Sequence, residues 1–328
     1  MYPLKFESIY LEKIWGGREL EKFRDDIPKG NIGESLDLCC YKNSISIIKN
    51  GELKGKKLKE AIKKYKEKLL GTHIIDEYKR FPLILKIITA EDNLSVQLHP
   101  GRKDKLEKGE NSKAELWYIV DAKPNAFLVL GSKIKDKKSL KHILKKGELE
   151  NYLNKVKVAK GDIFYVNSGL IHAIGKGITL VEIQESSDTT YRLYDYNRGR
   201  KLDIDKALKC IDLDIIPERK KGISIKYNGY IKTYYSLSQE FSVELYKINK
   251  YLEEESDKER FFTFTCVEGE GILIYDGGKE NIEKGETILI PAFLGKYRIK
   301  GKLEILKFYV PDIKKVEKQI LDTIKNSK

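Results

Sequence analysis

Histidine, methionine, tryptophan and cysteine are all scarce: four His, one Met, two Trp and four Cys in 328 residues. The cysteines are Cys39, Cys40, Cys210 and Cys266. One adjacent pair and two isolated thiols form neither a C-x-x-C metal site nor a disulfide framework. They read as reduced thiols, which points to a cytoplasmic protein. No apolar run approaches the ~20 residues of a membrane span. The opening Met1-Tyr-Pro-Leu-Lys-Phe-Glu-Ser lacks the apolar stretch of a signal peptide. There is no glycine-rich phosphate loop, so charged side chains would have to meet an anionic substrate.

Acidic residues are the minority, 50 against 63 Lys and Arg, for a formal net charge of +13. A basic chain raises nucleic acid and membrane surfaces as partners. Here the excess is Lys, spread along the chain and interleaved with Glu, with no arginine stripe and no nucleic-acid motif. It reads as a solvated surface, and neither nucleic acid nor membrane is expected as a partner. A positive field does favour a phosphorylated, anionic small molecule. Hydrophobic residues make up 41%, enough for a real core.

Most of the chain has strand chemistry. Residues 45–51, 81–89, 115–120, 125–130, 157–166, 172–175 and 178–185 are predicted strands. So are 223–227, 261–267, 271–275 and 303–309, with Asp276-Gly-Gly as a turn. Many short strands with regular turns point to a sandwich or jelly roll. Three stretches have helical spacing. In 57–70, Leu58, Ile62, Tyr65 and Leu69 recur before Gly71. In 138–156, Leu140, Ile143, Leu144, Leu149, Leu153 and Val156 suggest a small helical insertion, split by Gly147. In 313–324, Ile313, Val316, Ile320, Leu321 and Ile324 share a side. Residues 203–210 are a further short helix.

Chemistry concentrates in two stretches, 95–131 and 161–177. Gln97 and His99 lie i, i+2, on the same face of an extended strand, and Pro100 follows at once. Glu115 opens the next strand. In the second stretch a strand from Gly161 feeds an Asn167-Ser-Gly169 turn, and another strand starts near His172. Two imidazoles, a carboxylate and a carboxamide oxygen suit a borderline divalent ion such as zinc. With no thiolate, the set looks like a catalytic site that keeps a position open. His142 lies on a charged helical piece and reads as a surface histidine. Lys86, inside the apolar run 81–89, either snorkels or faces a pocket.

The spacing resembles the two cupin motifs, with Gln97 in place of the first His, a long gap from His99 to Glu115, and Asn167 in place of Pro. The Gln97-x-His99-Pro100 form with Lys113-x-Glu115 narrows this. The chain is similar to the type I mannose-6-phosphate isomerases, in their short bacterial form. Ile14-Trp-Gly-Gly17, Gly33-Glu34-Ser, Arg80-Phe-Pro-Leu-Ile-Leu-Lys86 and the long run from Leu180 through Glu182, Asp188 and Arg192 to Tyr196 match in order. The resemblance implies a mainly β fold of two cupin-like jelly-roll units, with a small helical insertion and a C-terminal helix. Residues 1–215 would form the metal-binding catalytic domain. Residues 216–328 would form a second unit without metal, in which Gly285-Glu-Thr-Ile-Leu-Ile-Pro291 echoes the motif at Gly161.

The implied reaction is reversible isomerisation of mannose 6-phosphate and fructose 6-phosphate, with one zinc per chain held by Gln97, His99, Glu115 and His172. Manganese, cobalt or iron are alternatives to zinc. Arg192 occupies the position that the family treats as catalytic and would stabilise an enediolate. Lys113 would share the pocket with Glu115 and meet substrate or assist proton transfer. Glu182 and Asp188 are further proton carriers, and the sequence does not choose among the three. Lys86 and Arg192 are candidates to meet the phosphate. The competing expectation is a sugar-phosphate-binding cupin without turnover. Oligomeric state is not legible.

Overall fold

β-Branched and aromatic runs become strands almost throughout, and the chain is mainly β. The computed structural model describes residues 1–326. Contacts divide the chain into two units, one of residues 10–36 and 83–220, the other of 1–9, 37–82 and 221–328. Residues 1–9 and 37–82 group with the C-terminal strands, and the last division falls between Lys220 and Lys221.

The first unit is a sandwich of two sheets. Its strands are β1 (Ile9–Gly17), β2 (Ile32–Leu38), β3 (Leu83–Ala90), β4 (Val96–Leu98), β5 (Glu115–Ala122) and β6 (Phe127–Ser132). They continue with β7 (Leu153–Lys157), β8 (Ile163–Val166), β9 (His172–Ile174), β10 (Ile178–Glu185) and β11 (Tyr191–Tyr194). A six-stranded sheet runs β8-β5-β10-β3-β2-β1 and a five-stranded sheet runs β7-β6-β9-β4-β11. Trp117, Ile119, Leu180 and Ile88 from the first sheet meet Leu128, Leu130 and Ile174 from the second in one buried cluster. Each such fully buried side chain contributes about 1.5–3 kcal/mol. A second cluster joins Val96, Leu98, Val129 and Leu193 of the five-stranded sheet to Leu140 and Ala207. These two come from the helices Lys137–Lys146 and Ile204–Cys210.

The second unit holds a nine-stranded sheet built on two long strands, Phe262–Tyr275 and Lys296–Tyr309. Phe264, Ile288, Ile290, Ile299 and Ile305 centre its core, and Val316 of the helix Ile313–Asn326 packs there. That core also encloses charge. Glu254 accepts from Tyr297 Oη and Lys307 Nζ, both at 2.8 Å. Glu244 accepts from Tyr309 Oη at 2.8 Å and pairs with Lys232 at 2.9 Å. Burial alone would raise the Glu254 carboxyl, but Lys307 and Lys232 outweigh it and hold it at about 2. Buried charge survives here because every carboxylate is paired and hydrogen-bonded.

The expected elements shift in six places, the first being the single strand expected over 157–166, which is instead the end of β7 at Lys157 and β8 from Ile163. The helix over 57–70 breaks at Lys66, which has φ 40°, into Leu58–Tyr65 and Glu67–Leu70. Gly71 then turns at φ +94° where a Cβ would lie 2.2 Å from the Arg260 backbone, so only glycine suits it. Leu153 and Val156 belong to strand β7, not to the helical insertion, because backbone pairing with β6 overrides their helical spacing. The segments 261–267 and 271–275 are one strand with a register shift between Cys266 and Glu268. Residues 45–51 contribute only Ser44–Ile45 and isolated bridges before a turn of 3-10 helix. Leu321 is 50% exposed, off the packed face. No helix among the described residues is long and apolar enough to cross a membrane.

Candidate metal centre and active site

His99, Glu115 and His172 meet between the two sheets of the first unit. Glu115 is supplied by β5 of one sheet, His172 by β9 of the other, and His99 follows β4 directly. One potential ligand atom from each lies within 4.8 Å of the others, and all three side chains are buried. Register explains the convergence. β4 lies beside β9 with Gln97 directly opposite His172. The turn before β9 closes through Gly169 N–H, which donates to the His99 carbonyl at 2.7 Å. Gly169 has φ +82° and a Cβ there would lie 2.9 Å from the Cys210 carbonyl oxygen.

The imidazoles are oriented by backbone. His99 Nδ1 donates to the Thr189 carbonyl at 2.8 Å and His172 Nδ1 to the Leu170 carbonyl at 3.0 Å. Both Nε2 atoms are then bare acceptors turned on a carboxylate. His99 Nε2 lies 3.2 Å from Glu115 Oε1, and His172 Nε2 lies 3.9 Å from Glu115 Oε2. Neither Nε2 nor Glu115 Oε2 has a hydrogen-bond partner. Burial first, then the Lys113 charge, pushes the His99 imidazole down to about 4. Burial also lowers His172. Neutral imidazoles whose other nitrogen is fixed by a carbonyl are the state in which histidine ligates metal. Facing lone pairs in a buried site repel unless a cation lies among them, so the donor set fits a divalent metal.

Lys113 and Lys86 supply positive charge. Lys113 Nζ is 2.6 Å from Glu115 Oε1 and only 6% of its side chain is exposed. Burial opposes the charge on Glu115, but the Lys113 ammonium foremost outweighs it and holds the carboxyl well below its usual range. Lys86, Glu182 and Trp117 form one cross-strand row on β3, β10 and β5. Lys86 Nζ is 2.9 Å from Glu182 Oε1, and Trp117 Nε1 donates to Glu182 Oε2 at 3.0 Å. Lys86 also lies 3.9 Å from Glu34, itself 3.1 Å from Lys13. Burial would lower Lys86, but Glu182, Glu34 and Glu115 together raise it.

Of the remaining expected residues, Gln97 and Arg192 are cross-strand partners on β4 and β11. Gln97 Oε1 accepts from Ser95 Oγ at 3.2 Å, and Arg192 Nε donates to that same hydroxyl at 3.1 Å. Arg192 also donates to the Lys201 carbonyl at 3.0 Å. Burial and then the neighbouring Arg200 lower its guanidinium, which stays charged. Asp188 is exposed, one residue before the Thr189 carbonyl that orients His99. The sequence reading did not single out Ser95, Trp117, or the carbonyls of Thr189 and Leu170. A carbonyl carries no residue-type signal, whereas the i, i+2 spacing of Ser95 and Gln97 was available.

Two family models match the chain: "Phosphomannose isomerase type I, catalytic domain" over residues 4–109, and "Mannose-6-phosphate isomerase, cupin domain" over 230–310. A curated mannose-6-phosphate isomerase of Bacillus subtilis (strain 168) is 36% identical over 312 residues, 93% of this chain and 98% of its own length. The chain belongs to the type I mannose-6-phosphate isomerase family. A family member from Streptococcus mutans is 34% identical over 93% of this chain and 97% of its own. The crystal structure of a mannose 6-phosphate isomerase from Bacillus subtilis superposes with TM-score 0.87 at 30% identity, covering 94% of this chain and 99% of that one. The expected mainly β fold with a helical insertion and a C-terminal helix is what the structure shows, and the cupin model covers strands of the second unit. The catalytic-domain match includes Gln97 and His99 and stops before Glu115, His172 and Arg192.

Proposed function

We propose that this chain interconverts mannose 6-phosphate and fructose 6-phosphate at the His99–Glu115–His172 centre. The observation that carries the reading is the trio of buried atoms His99 Nε2, Glu115 Oε2 and His172 Nε2, left without hydrogen-bond partners in a family of isomerases. Zinc, one per chain, suits two imidazoles and a carboxylate, and Gln97 completes the set with its carboxamide oxygen. When bound, the metal polarises substrate oxygens and so acidifies the C–H bond to be broken. In this reading the catalytic domain is the unit of residues 10–36 and 83–220. The other unit carries no metal.

The chain's own residues do the rest. Isomerisation moves one proton between C1 and C2, with negative charge building on the oxygens. Arg192, tethered at Ser95 and Lys201, offers a fixed guanidinium to that charge. Lys113 has its amine beside a ligand carboxylate, where it can hold a substrate hydroxyl or carry a proton. Glu182 is gripped from two sides by Lys86 and Trp117, which suits it to holding Lys86 in place. Asp188 is the exposed alternative as proton carrier. Lys86 is the cation for the phosphate in this reading, with Arg192 the alternative candidate. Cys39, Cys40, Cys210 and Cys266 form no disulfide among the described residues, in keeping with a cytoplasmic setting.

A coupled assay of fructose 6-phosphate formation, run before and after chelation and zinc return, tests this. Chelator-sensitive turnover restored by zinc is expected. A folded, zinc-loaded protein without turnover would replace the isomerase with a sugar-phosphate-binding protein.

A further inference from the structure

Residues 101–113, between β4 and β5, form a loop without regular structure whose ends are joined by Lys113 N–H donating to the Pro100 carbonyl at 3.0 Å. A long loop closed on itself is commonly functional, and this one delivers Lys113 to Glu115. Several ties hold it to the sandwich, among them Tyr191 Oη to Glu110, Ser112 Oγ to Glu185, Ser168 Oγ to the Lys113 carbonyl, and a pair at Asn111. Thr189 Oγ1 accepts the Asn111 backbone N–H at 2.9 Å, and Ser187 Oγ donates to the Asn111 carbonyl at 3.0 Å. Two hydroxyls thus hold both polar groups of one residue's backbone.

Those hydroxyls stand on the turn that also orients His99. The Thr189 N–H donates to Ser187 Oγ at 3.2 Å, and the Thr189 carbonyl accepts from His99 Nδ1 at 2.8 Å. Gln184 braces the turn, its Nε2 donating to the carbonyls of Ser187 at 2.5 Å and Glu185 at 3.0 Å. Ser187, Thr189 and Gln184 are all buried. Thr189 therefore touches the loop of Lys113 with its side chain and the imidazole of His99 with its backbone.

We propose that Ser187 and Thr189 are positioning residues, a hydroxyl clasp that ties the placement of Lys113 to the orientation of His99. The inference rests on the metal-dependent isomerase reading above. Groups that orient ligands from behind typically change metal affinity 10–100-fold when removed. Thr189→Val deletes the hydroxyl and keeps both shape and carbonyl. The loop loses its anchor on the Asn111 N–H, and the turn under His99 loses that link to the loop while keeping its Gln184 and Ser187 bonds. Thr189→Ser keeps the hydroxyl and should keep the clasp.

Zinc affinity by competition with a chromophoric chelator, together with kcat, KM and melting temperature, tests this on the full chain. Thr189→Val is expected to bind zinc about 10-fold more weakly and to lose about 10-fold in kcat at saturating zinc, with KM within about twofold. Thr189→Ser restores both, and Ser187→Ala follows Thr189→Val, carrying the test alone if the valine variant does not fold. Parental zinc affinity and kcat in these variants, or a lowered melting temperature with zinc affinity unchanged, would overturn the clasp. Failure of the parent protein itself to bind zinc or turn over would instead overturn the reading beneath it.

Discussion

Lys86→Met should destabilise the metal-free protein far more than the loss of one surface ion pair. Lys86 and Glu182 face each other at 2.9 Å across β3 and β10, with side chains 13% and 4% exposed. Water screens such a pair little. Taking away the cation leaves a buried carboxylate with Trp117 Nε1–H still donating to it. Breaking a buried pair from one side costs about 3–5 kcal/mol. At about 2–4 °C per kcal/mol for a domain of this size, the melting temperature should fall by roughly 6–20 °C. Glu34 suffers less, because Lys13 remains 3.1 Å away. The double variant Lys86→Met/Glu182→Gln removes the stranded charge and keeps an acceptor for Trp117, so most of the loss should return. Thermal or urea denaturation of chelated protein reads all three forms without a metal contribution. A cost below about 1 kcal/mol for Lys86→Met, or a double variant no more stable than the single one, would refute the desolvated-pair argument.

His99→Ala should bind less than a tenth of the parent's zinc, by elemental analysis of dialysed protein, and lose turnover with it. Arg192→Ala should keep the metal and the fold while kcat falls about 10²–10³-fold, the loss expected for a preorganised charge at the reacting oxygens. A normal kcat would remove Arg192 from the reaction. Metal-free protein should weaken as pH falls from 6.5 towards 4. His99 titrates near 6.5 when unfolded but only at about 4 when folded. The unfolded chain therefore binds more protons in that window, and the stabilisation present above pH 6.5 is lost as pH falls through it. A urea midpoint unchanged between pH 7 and pH 5 would count against the buried, neutral His99.

The strands that carry the site were legible because their residues leave few alternatives. Residues 178–185 are apolar or β-branched apart from Glu182, Gln184 and Glu185, and they form β10 over the same range. The i, i+2 spacing of Gln97 and His99 and the Asn167-Ser-Gly169 turn before His172 were equally plain, because strand alternation and turn chemistry are local properties. Helical spacing misled at Leu153 and Val156. A short amphipathic run satisfies either period, and the neighbouring β6 decided it by offering backbone hydrogen bonds.

The sequence by itself determined the β class, the family, and the types of residue available for metal and charge. Those follow from composition, local periodicity and a long ordered motif. Only the tertiary structure decided which atoms meet. Glu115 and His172 come from opposite sheets, and their approach depends on how those sheets pack. The pairing of Lys86 with Glu182 and Trp117 is a matter of register across three strands, which no local pattern encodes. The carbonyls of Thr189 and Leu170, which set the tautomers of both histidines, belong to the backbone that every residue shares. Their part in the site exists only once the chain has folded around it.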